Sequence, residues 1–387
     1  MSGSIHEDGI QHLYVHVPFC PVKCEYCAFV THIGSLKLAG PYVDALRTEL
    51  RLRAGARPSG PLKTLYFGGG TPSLLEPGQI GAVIERVVEL FGLKGDAEVT
   101  LECHPSTVSL ERLTAYRAAG VTRVSFGAES MQPDELRALG RSHRPDEVAD
   151  AVVFARAAGM RSVALDLMYG IPGQTLESWE ASLRDVLALD VDHLSLYPLQ
   201  LEPKTVFHRR HRRGELLLPE DETVVAMYGV ACRLLRERGF EHYEVSNWCR
   251  TGHACRHSLA YWRNEEFIAV GAGAHGYLRP ERTENMRHTS RYIERVRDGG
   301  DPVEHREPVD RRTHASETMM LGLRLLEEGP ALHRVAEELE ADPLAVFAGD
   351  INRLLSAGLV EVVENRVLLC EDAVPLANEV WESFLLD

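Results

Sequence analysis

The residues whose types and spacing promise chemistry begin with three cysteines. Cys20, Cys24 and Cys27 lie within HVPFCPVKCEYCAF, residues 16–29. Thiolates are soft ligands suited to zinc, copper and iron–sulfur clusters. A cubane cluster ordinarily takes four protein thiolates, one per iron. The C-x3-C-x2-C spacing supplies three, which leaves one iron for something that is not protein. S-adenosylmethionine (SAM) fits, because its amino and carboxylate groups can chelate that iron and place the sulfonium beside the cluster. Electron transfer then breaks a carbon–sulfur bond and yields a 5′-deoxyadenosyl radical. A closed Cys3His zinc site completed by His16 or His32 is the competing reading, and spacing alone leaves both open.

These cysteines need elements to hold them. LYVHV (13–17), TLYFGGG (64–70), VTLEC (99–103), RVSFGAES (123–130), SVALDLMYG (162–170) and HLSLYPLQ (193–200) read as strands, each followed by helical sequence. PGQIGAVIERVVELF carries apolar residues at helical spacing, and Gly120 at the end of LERLTAYRAAG reads as a C-cap. Six successive strand–helix units imply parallel strands with right-handed crossovers. The strands read as having few alternating polar residues, as expected of a sheet covered on one side and enclosed on the other. The expected fold is α/β, a full or partial β/α barrel of (β/α)6 type with its chemistry at the C-terminal strand ends. Those ends carry the Cys loop, GGGTP, ECHP, GAES, DLMYG and YPLQLEP.

A length of 387 residues suits one large domain plus an appendage. Composition shifts near 241, where HYEVSNWCRTGHACRHSLAYWRNEEF is rich in aromatics, His and Cys. From about 306 helical patterns run up to a strand–turn–strand signature, LVEVVENRVLLCE. The expected division is a barrel with its N-terminal cluster loop (1–240), a connecting segment completing the core (241–305) and a small helical, winged-helix-like domain (306–387). The net charge of -15 repels nucleic acid. Residues 306–387 hold seven Arg, no Lys and seventeen acidic residues, a poor DNA reader. HRRHRR (208–213) is a basic cluster, read as a solvated face or as a site for heme propionates or an acidic partner. Eight cysteines without an export signal argue for metal or catalysis over a disulfide scaffold. Cys249 and Cys255, with His253 between them, make a weak metal pattern. The polar start and the lack of a bilayer-length apolar run lead to the expectation of a cytoplasmic protein with no transmembrane segment.

Taken together, YVHVPFC…C.YCAF, YFGGGTPSLL, LGRSH, DLMYGIPGQT and GAGAHGY resemble the radical SAM superfamily. Within it they resemble the branch that contains the oxygen-independent coproporphyrinogen oxidase HemN and the heme chaperone HemW. The likeness covers essentially the whole chain. The oxidases have a further Cys two residues after the third ligand; this position is Phe29, as in HemW. RHSLAYW (256–262) resembles the heme-associated HNxxYW motif of HemW.

The resemblance implies a radical SAM barrel holding a [4Fe-4S] cluster on Cys20, Cys24 and Cys27, one SAM or two, and heme. Tyr14 corresponds to a tyrosine beside the cluster and first SAM, and Tyr26 is grouped with the SAM contacts. Gly69, Gly70 and Thr71 lack bulk, which would let backbone amides approach the SAM amino acid moiety. Glu102 would hold a SAM ammonium or ribose, Asp166 would accept hydrogen bonds at the pocket mouth, and Arg141 would take a second SAM carboxylate. Several positions depart from the pattern: Glu129, grouped with the SAM contacts, replaces the Gln of GxQS, His104 the Asn of ExNP, Ser258 the Asn of HNxxYW, and Ala28 a common Asp. His257, Tyr261 and Trp262 would form a heme platform, against the reading that they are core or interface residues.

The function implied is a HemW-like chaperone delivering heme to apoproteins. Its alternative is a HemN-like radical enzyme, either a two-SAM methyltransferase on a natural-product scaffold or a porphyrinogen decarboxylase. A zinc-stabilised structural protein is the third class. The implied partners are heme or a small-molecule substrate, heme-accepting apoproteins, an electron donor and a second copy in a homodimer.

Overall fold

The computed structural model describes residues 9–34, 36–55 and 60–385. Most of the N-terminal stretch behind the export-signal expectation lies outside the described residues. Six parallel strands stand side by side in chain order: β1 (His12–Val17), β2 (Leu62–Gly69), β3 (Leu93–Cys103), β4 (Arg123–Glu129), β5 (Ser162–Tyr169) and β6 (His193–Pro198). Beyond β6 lie β7 (Glu241–Glu244) and β8 (Asn247–Cys249), β8 pairing antiparallel with both β6 and β7, and β9 (Ile268–Val270) adds parallel to β1. The order β9-β1-β2-β3-β4-β5-β6-β8-β7 is linear, so the barrel stays open between its edges.

The crossover helices include α1 (Ala39–Ala54), α2 (Pro77–Phe91) and α3 (Leu110–Ala118). The sequence sets α2 closely. Pro77 occupies the first turn, Glu76 and Gln79 form a capping box, and Ile80, Val83, Ile84, Val87 and Phe91 are buried. The helices Leu176–Leu187 and Asp221–Glu237 are tied by Trp179, fully buried, whose indole N–H donates to the Met227 carbonyl at 2.8 Å.

The strands correct one expectation. On β4, Val124, Phe126 and Ala128 belong to the apolar core, while Arg123, Ser125, Gly127 and Glu129 line a central cavity. β6 repeats this with His193, Ser195 and Tyr197. The period-2 alternation is present and turns polar side chains inward, where a filled barrel would stack branched apolar ones. The lumen is built to hold something.

After β8 come a short helix, Arg256–Trp262, and a three-stranded antiparallel sheet of His275–Leu278, Glu281–Asn285 and Val303–Pro308. The sequence reading found no elements for that sheet. Its strands carry mostly polar and charged residues, and Val303–Pro308 is exposed along most of its length, so no hydrophobic period marks it. The helices Arg311–Gly322, Leu332–Leu339, Pro343–Val346 and Ala348–Ser356 follow, then the hairpin Val360–Val363 with Arg366–Leu369. The Arg324 guanidinium locks this region to the barrel. It lies between the rings of Trp262 and Trp381, 4.1 and 4.7 Å from their centroids, and pairs with fully buried Glu244 at 3.1 Å. Among the described residues no helix is long and apolar enough to cross a membrane.

Candidate cluster and ligand site

Cys20, Cys24 and Cys27 sit on the loop after β1, free and partly buried. The loop is closed by a short parallel pairing of Phe19–Cys20 with His32–Ile33, and the His32 N–H donates to the Pro18 carbonyl at 2.6 Å. The GAGAH segment braces it from behind. Gly271 and Gly273 have φ of +109° and +75°, and a Cβ there would come within 2.5 Å of the His16 carbonyl and 3.0 Å of Val30. The Tyr42 hydroxyl donates to the His16 carbonyl at 2.7 Å and accepts the Ala272 N–H at 2.9 Å. Fully buried Glu49 accepts from the Gly271 N–H at 2.9 Å and the Tyr292 hydroxyl at 2.6 Å, and pairs with Arg53 at 2.6 Å.

A zinc site would need one of the nearby histidines as its fourth ligand. His16 is spent elsewhere: Nε2 lies 3.0 Å from the Val30 carbonyl and Nδ1 3.2 Å from the Tyr14 hydroxyl. His32 stands edge-on to Phe19, ring centroids 5.9 Å apart. Among the described residues the ligand atoms that gather within 4.8 Å of one another belong to Cys232, His242 and Glu371, not to the three loop cysteines. Zinc bonded at about 2.3 Å to each sulfur needs sulfurs about 3.8 Å apart. A wider set of three thiols fits a multi-iron cluster. Burial pushes the Cys20 and Cys27 thiols up, and the neighbouring thiolates add to it, so metal must displace their protons.

Beneath the loop lies a cavity of about 1560 Å³ including its open mouth. It brings together Cys20, Cys24, Cys27, Tyr26, Gly69, Gly70, Thr71, Glu102, Glu129, Arg141 and Asp166. Tyr14 stands apart from this wall, stacked on Tyr66 at 6.1 Å between ring centroids. Glu102 accepts from the Tyr66 hydroxyl at 2.8 Å and the Gly69 N–H at 3.1 Å, and burial raises its pKa to about 7. Asp166 accepts from Ser125 Oγ at 3.2 Å, and burial raises its pKa too. Glu129 adopts φ +61° at a register shift in β4. Its carboxylate lies 3.7 Å from Arg141, which also donates to the Gly127 carbonyl at 2.6 Å and reaches Cys24 Sγ at 3.8 Å. His104 is buried beside His143, and burial, then the Arg141 charge, lowers its pKa to about 3.

The expected amide cradle of GGGTP is not free. The N–H groups of Gly69, Gly70 and Thr71 donate to Glu102, the Val17 carbonyl and the Phe19 carbonyl. A Cβ on Gly69 would fall 2.4 Å from the His16 ring, and one on Gly70 2.6 Å from the Phe19 carbonyl. These glycines let the β2 end pack against the cluster loop.

The heme platform departs from expectation as well. His257 is 1% exposed, with Nδ1 2.6 Å from Thr64 Oγ1 and Nε2 2.9 Å from the Tyr261 hydroxyl. Both ring nitrogens are engaged, and the ring stacks on Tyr66 at 5.0 Å. Tyr261 packs on Phe267, and Trp262 holds Arg324 at the junction with the C-terminal region. Ser258, at the motif's Asn position, does line the cavity. HRRHRR makes up most of the helix Val206–Arg212, with Arg213 as its C-cap, and Arg210 pairs with Glu25 of the cluster loop at 2.7 Å. Cys249, His253 and Cys255 do not gather: Cys255 donates to Glu98, and His253 lies near Asp192.

Sequence reasoning missed Tyr66, Arg123, Ser125, His193, Ser195 and Tyr197, all on the cavity wall. The alternation R-V-S-F-G-A-E in β4 and H-L-S-L-Y in β6 would have found most of them.

Residues 14–186 match the model of the Radical SAM superfamily, which implies a [4Fe-4S] cluster and SAM. Heme chaperone HemW of Bacillus subtilis (strain 168) is 34% identical over 373 residues, covering 96% of this chain and 98% of that protein. Heme chaperone HemW of Mycobacterium tuberculosis (strain CDC 1551 / Oshkosh) is 38% identical over 366 residues, covering 92% and 93%. The fold is that of the Escherichia coli coproporphyrinogen III oxidase HemN, with TM-score 0.84, 22% identity and coverage of 98% of this chain and 91% of that one. The chain therefore belongs to the radical SAM superfamily and, within it, to the HemW heme chaperone family.

Proposed function

We propose that this protein carries heme and passes it to apoproteins in the cytoplasm, with a three-thiolate cluster and SAM at the mouth of its barrel. The carrying observation is the donor set: three cysteines on one braced loop, with His16 engaged elsewhere, above a polar lumen. Cys20, Cys24 and Cys27 hold the cluster. Glu102 and Asp166 would take the cationic part of SAM and Tyr26 would stand beside it, while Thr71, whose hydroxyl lies 3.5 Å from Cys20 Sγ, would shield the thiolate. The cluster with SAM supplies one-electron cleavage of a carbon–sulfur bond.

Phe29 and Val22 support the heme reading. They are 65% and 54% exposed on the cluster loop and line the cavity mouth, where an apolar macrocycle face would find cover. His257 is better read as structural, so the axial ligand comes from elsewhere. The polar lumen favours a second reading, a radical enzyme holding a small substrate under the cluster.

One anaerobic preparation tests both. Heme titration with transfer to an apoprotein, and no 5′-deoxyadenosine, supports the chaperone. Substrate-dependent 5′-deoxyadenosine and S-adenosylhomocysteine without heme transfer would replace it with the enzyme.

A further inference from the structure

We propose that the floor of the barrel lumen is a carboxylate subsite built on Arg123 and His193. Arg123 opens β4 and is 3% exposed, yet it lines the cavity. Among the described residues its Nε has no hydrogen-bond partner, and no carboxylate pairs with its guanidinium. The nearby acids are committed. Glu98 accepts the backbone N–H groups of Arg256 and His257 at 3.1 Å each. Glu102 is held by Tyr66 and Gly69, and Asp166 by Ser125. Burial alone would lower the Arg123 pKa, but the fields of Cys255 and Glu98 outweigh it and hold the guanidinium charged, while its Nε still lacks a hydrogen-bond acceptor.

His193, on β6, makes the same demand. It is 1% exposed, its Nε2 lies 2.8 Å from the Tyr243 hydroxyl, and its Nδ1 has no partner. The Tyr243 oxygen already accepts the Cys255 N–H at 3.3 Å, so its own proton points to His193 Nε2. Burial, then the Arg123 charge, keeps the imidazole neutral, and network logic puts its hydrogen on Nδ1. A guanidinium and an imidazole N–H on one cavity wall, each with an unpartnered nitrogen, complement a carboxylate. A single positive charge below the acids Glu102 and Asp166 disfavours a multiply charged anion. The subsite lies six residues along β4 from Glu129, about 20 Å of strand, so it is separate from the Arg141 position at the mouth.

The carboxylate comes either from a heme propionate, which rests on the heme reading above, or from a small carboxylate substrate. Cluster-loaded protein is titrated anaerobically with heme and with heme dimethyl ester. In parallel, its melting is followed in sodium propionate against sodium chloride at equal ionic strength. Propionate is expected to raise the melting temperature of the wild type and not of Arg123→Met. Heme is expected to bind at least tenfold tighter than its ester, with the preference lost in Arg123→Met and partly kept in Arg123→Lys. A propionate response with equal heme and ester affinity supports the subsite and assigns it to a small carboxylate. A propionate response with no heme binding overturns the heme reading and supports the subsite. The subsite is overturned if propionate leaves the wild type unmoved or if Arg123→Met responds equally.

Discussion

The carboxylate of Glu129 lies 3.7 Å from the guanidinium of Arg141, both side chains being largely buried. An internal anion thus occupies the cation expected to receive a ligand carboxylate. The pair is held in place: Glu129 sits at φ +61°, and Arg141 is anchored to the Gly127 carbonyl. Any second SAM must compete with Glu129.

Replacing that anion should therefore open the site. Glu129→Gln is expected to tighten binding of a carboxylate-bearing ligand about tenfold, the worth of one charge-assisted contact at ~1.4 kcal/mol. Anaerobic equilibrium dialysis with SAM reads the affinity and the number of equivalents bound. Unchanged binding would mean that Arg141 is not restrained by Glu129.

Glu102 sets a pH dependence. Burial raises its pKa to about 7, so the ligand-free site is mainly protonated below that pH. A cationic ligand prefers the carboxylate, so SAM affinity should rise with pH up to about 7, with proton release on binding at pH 6. Its stability effect has the opposite sense. A raised acid pKa favours the fold below the unfolded value, and this contribution is lost as pH rises through about 7. Calorimetry in two buffers of different ionisation enthalpy measures the proton release, and Glu102→Gln should abolish it.

The two engaged nitrogens of His257 predict a structural phenotype. His257→Ala should lose about 2–4 kcal/mol of stability through lost packing and orphaned Thr64 and Tyr261 hydroxyls. Urea unfolding reads that loss, and electron paramagnetic resonance of the heme-bound variant should keep the wild-type axial signature. Full stability with a changed signature would restore His257 as the ligand.

Gly271 tests how the cluster loop is braced. Gly271→Ala would put a Cβ 2.5 Å from the His16 carbonyl at φ +109°, a strain of about 1–3 kcal/mol. Iron uptake on reconstitution should fall while far-ultraviolet circular dichroism is retained. Normal iron uptake would remove GAGAH from the support of the loop.

The elements that carry strong local signals were legible in the sequence. The cysteine spacing, the six strand–helix units and the capped helix Pro77–Phe91 all appear where their residues placed them. Gly120 ends its helix at φ +112° as a C-cap glycine should. What escaped depends on contacts across the chain. The 69–71 amides looked available for a ligand, yet their partners come from β1, β3 and the loop. His257 looked like a ligand until Thr64, 193 residues away, claimed its Nδ1. Arg123 drew no reading from the sequence, because only barrel curvature turns it into a lumen. The sheet spanning 275–308 escaped since polar, exposed strands have no apolar period.

The most direct test of the central claim is metal analysis with Mössbauer spectroscopy on 57Fe-reconstituted protein, before and after SAM addition. The account expects a cubane cluster, no zinc, and one iron whose signal changes when SAM is added while the other three stay put. A colourless protein holding zinc, or a cluster whose irons all ignore SAM, would contradict it.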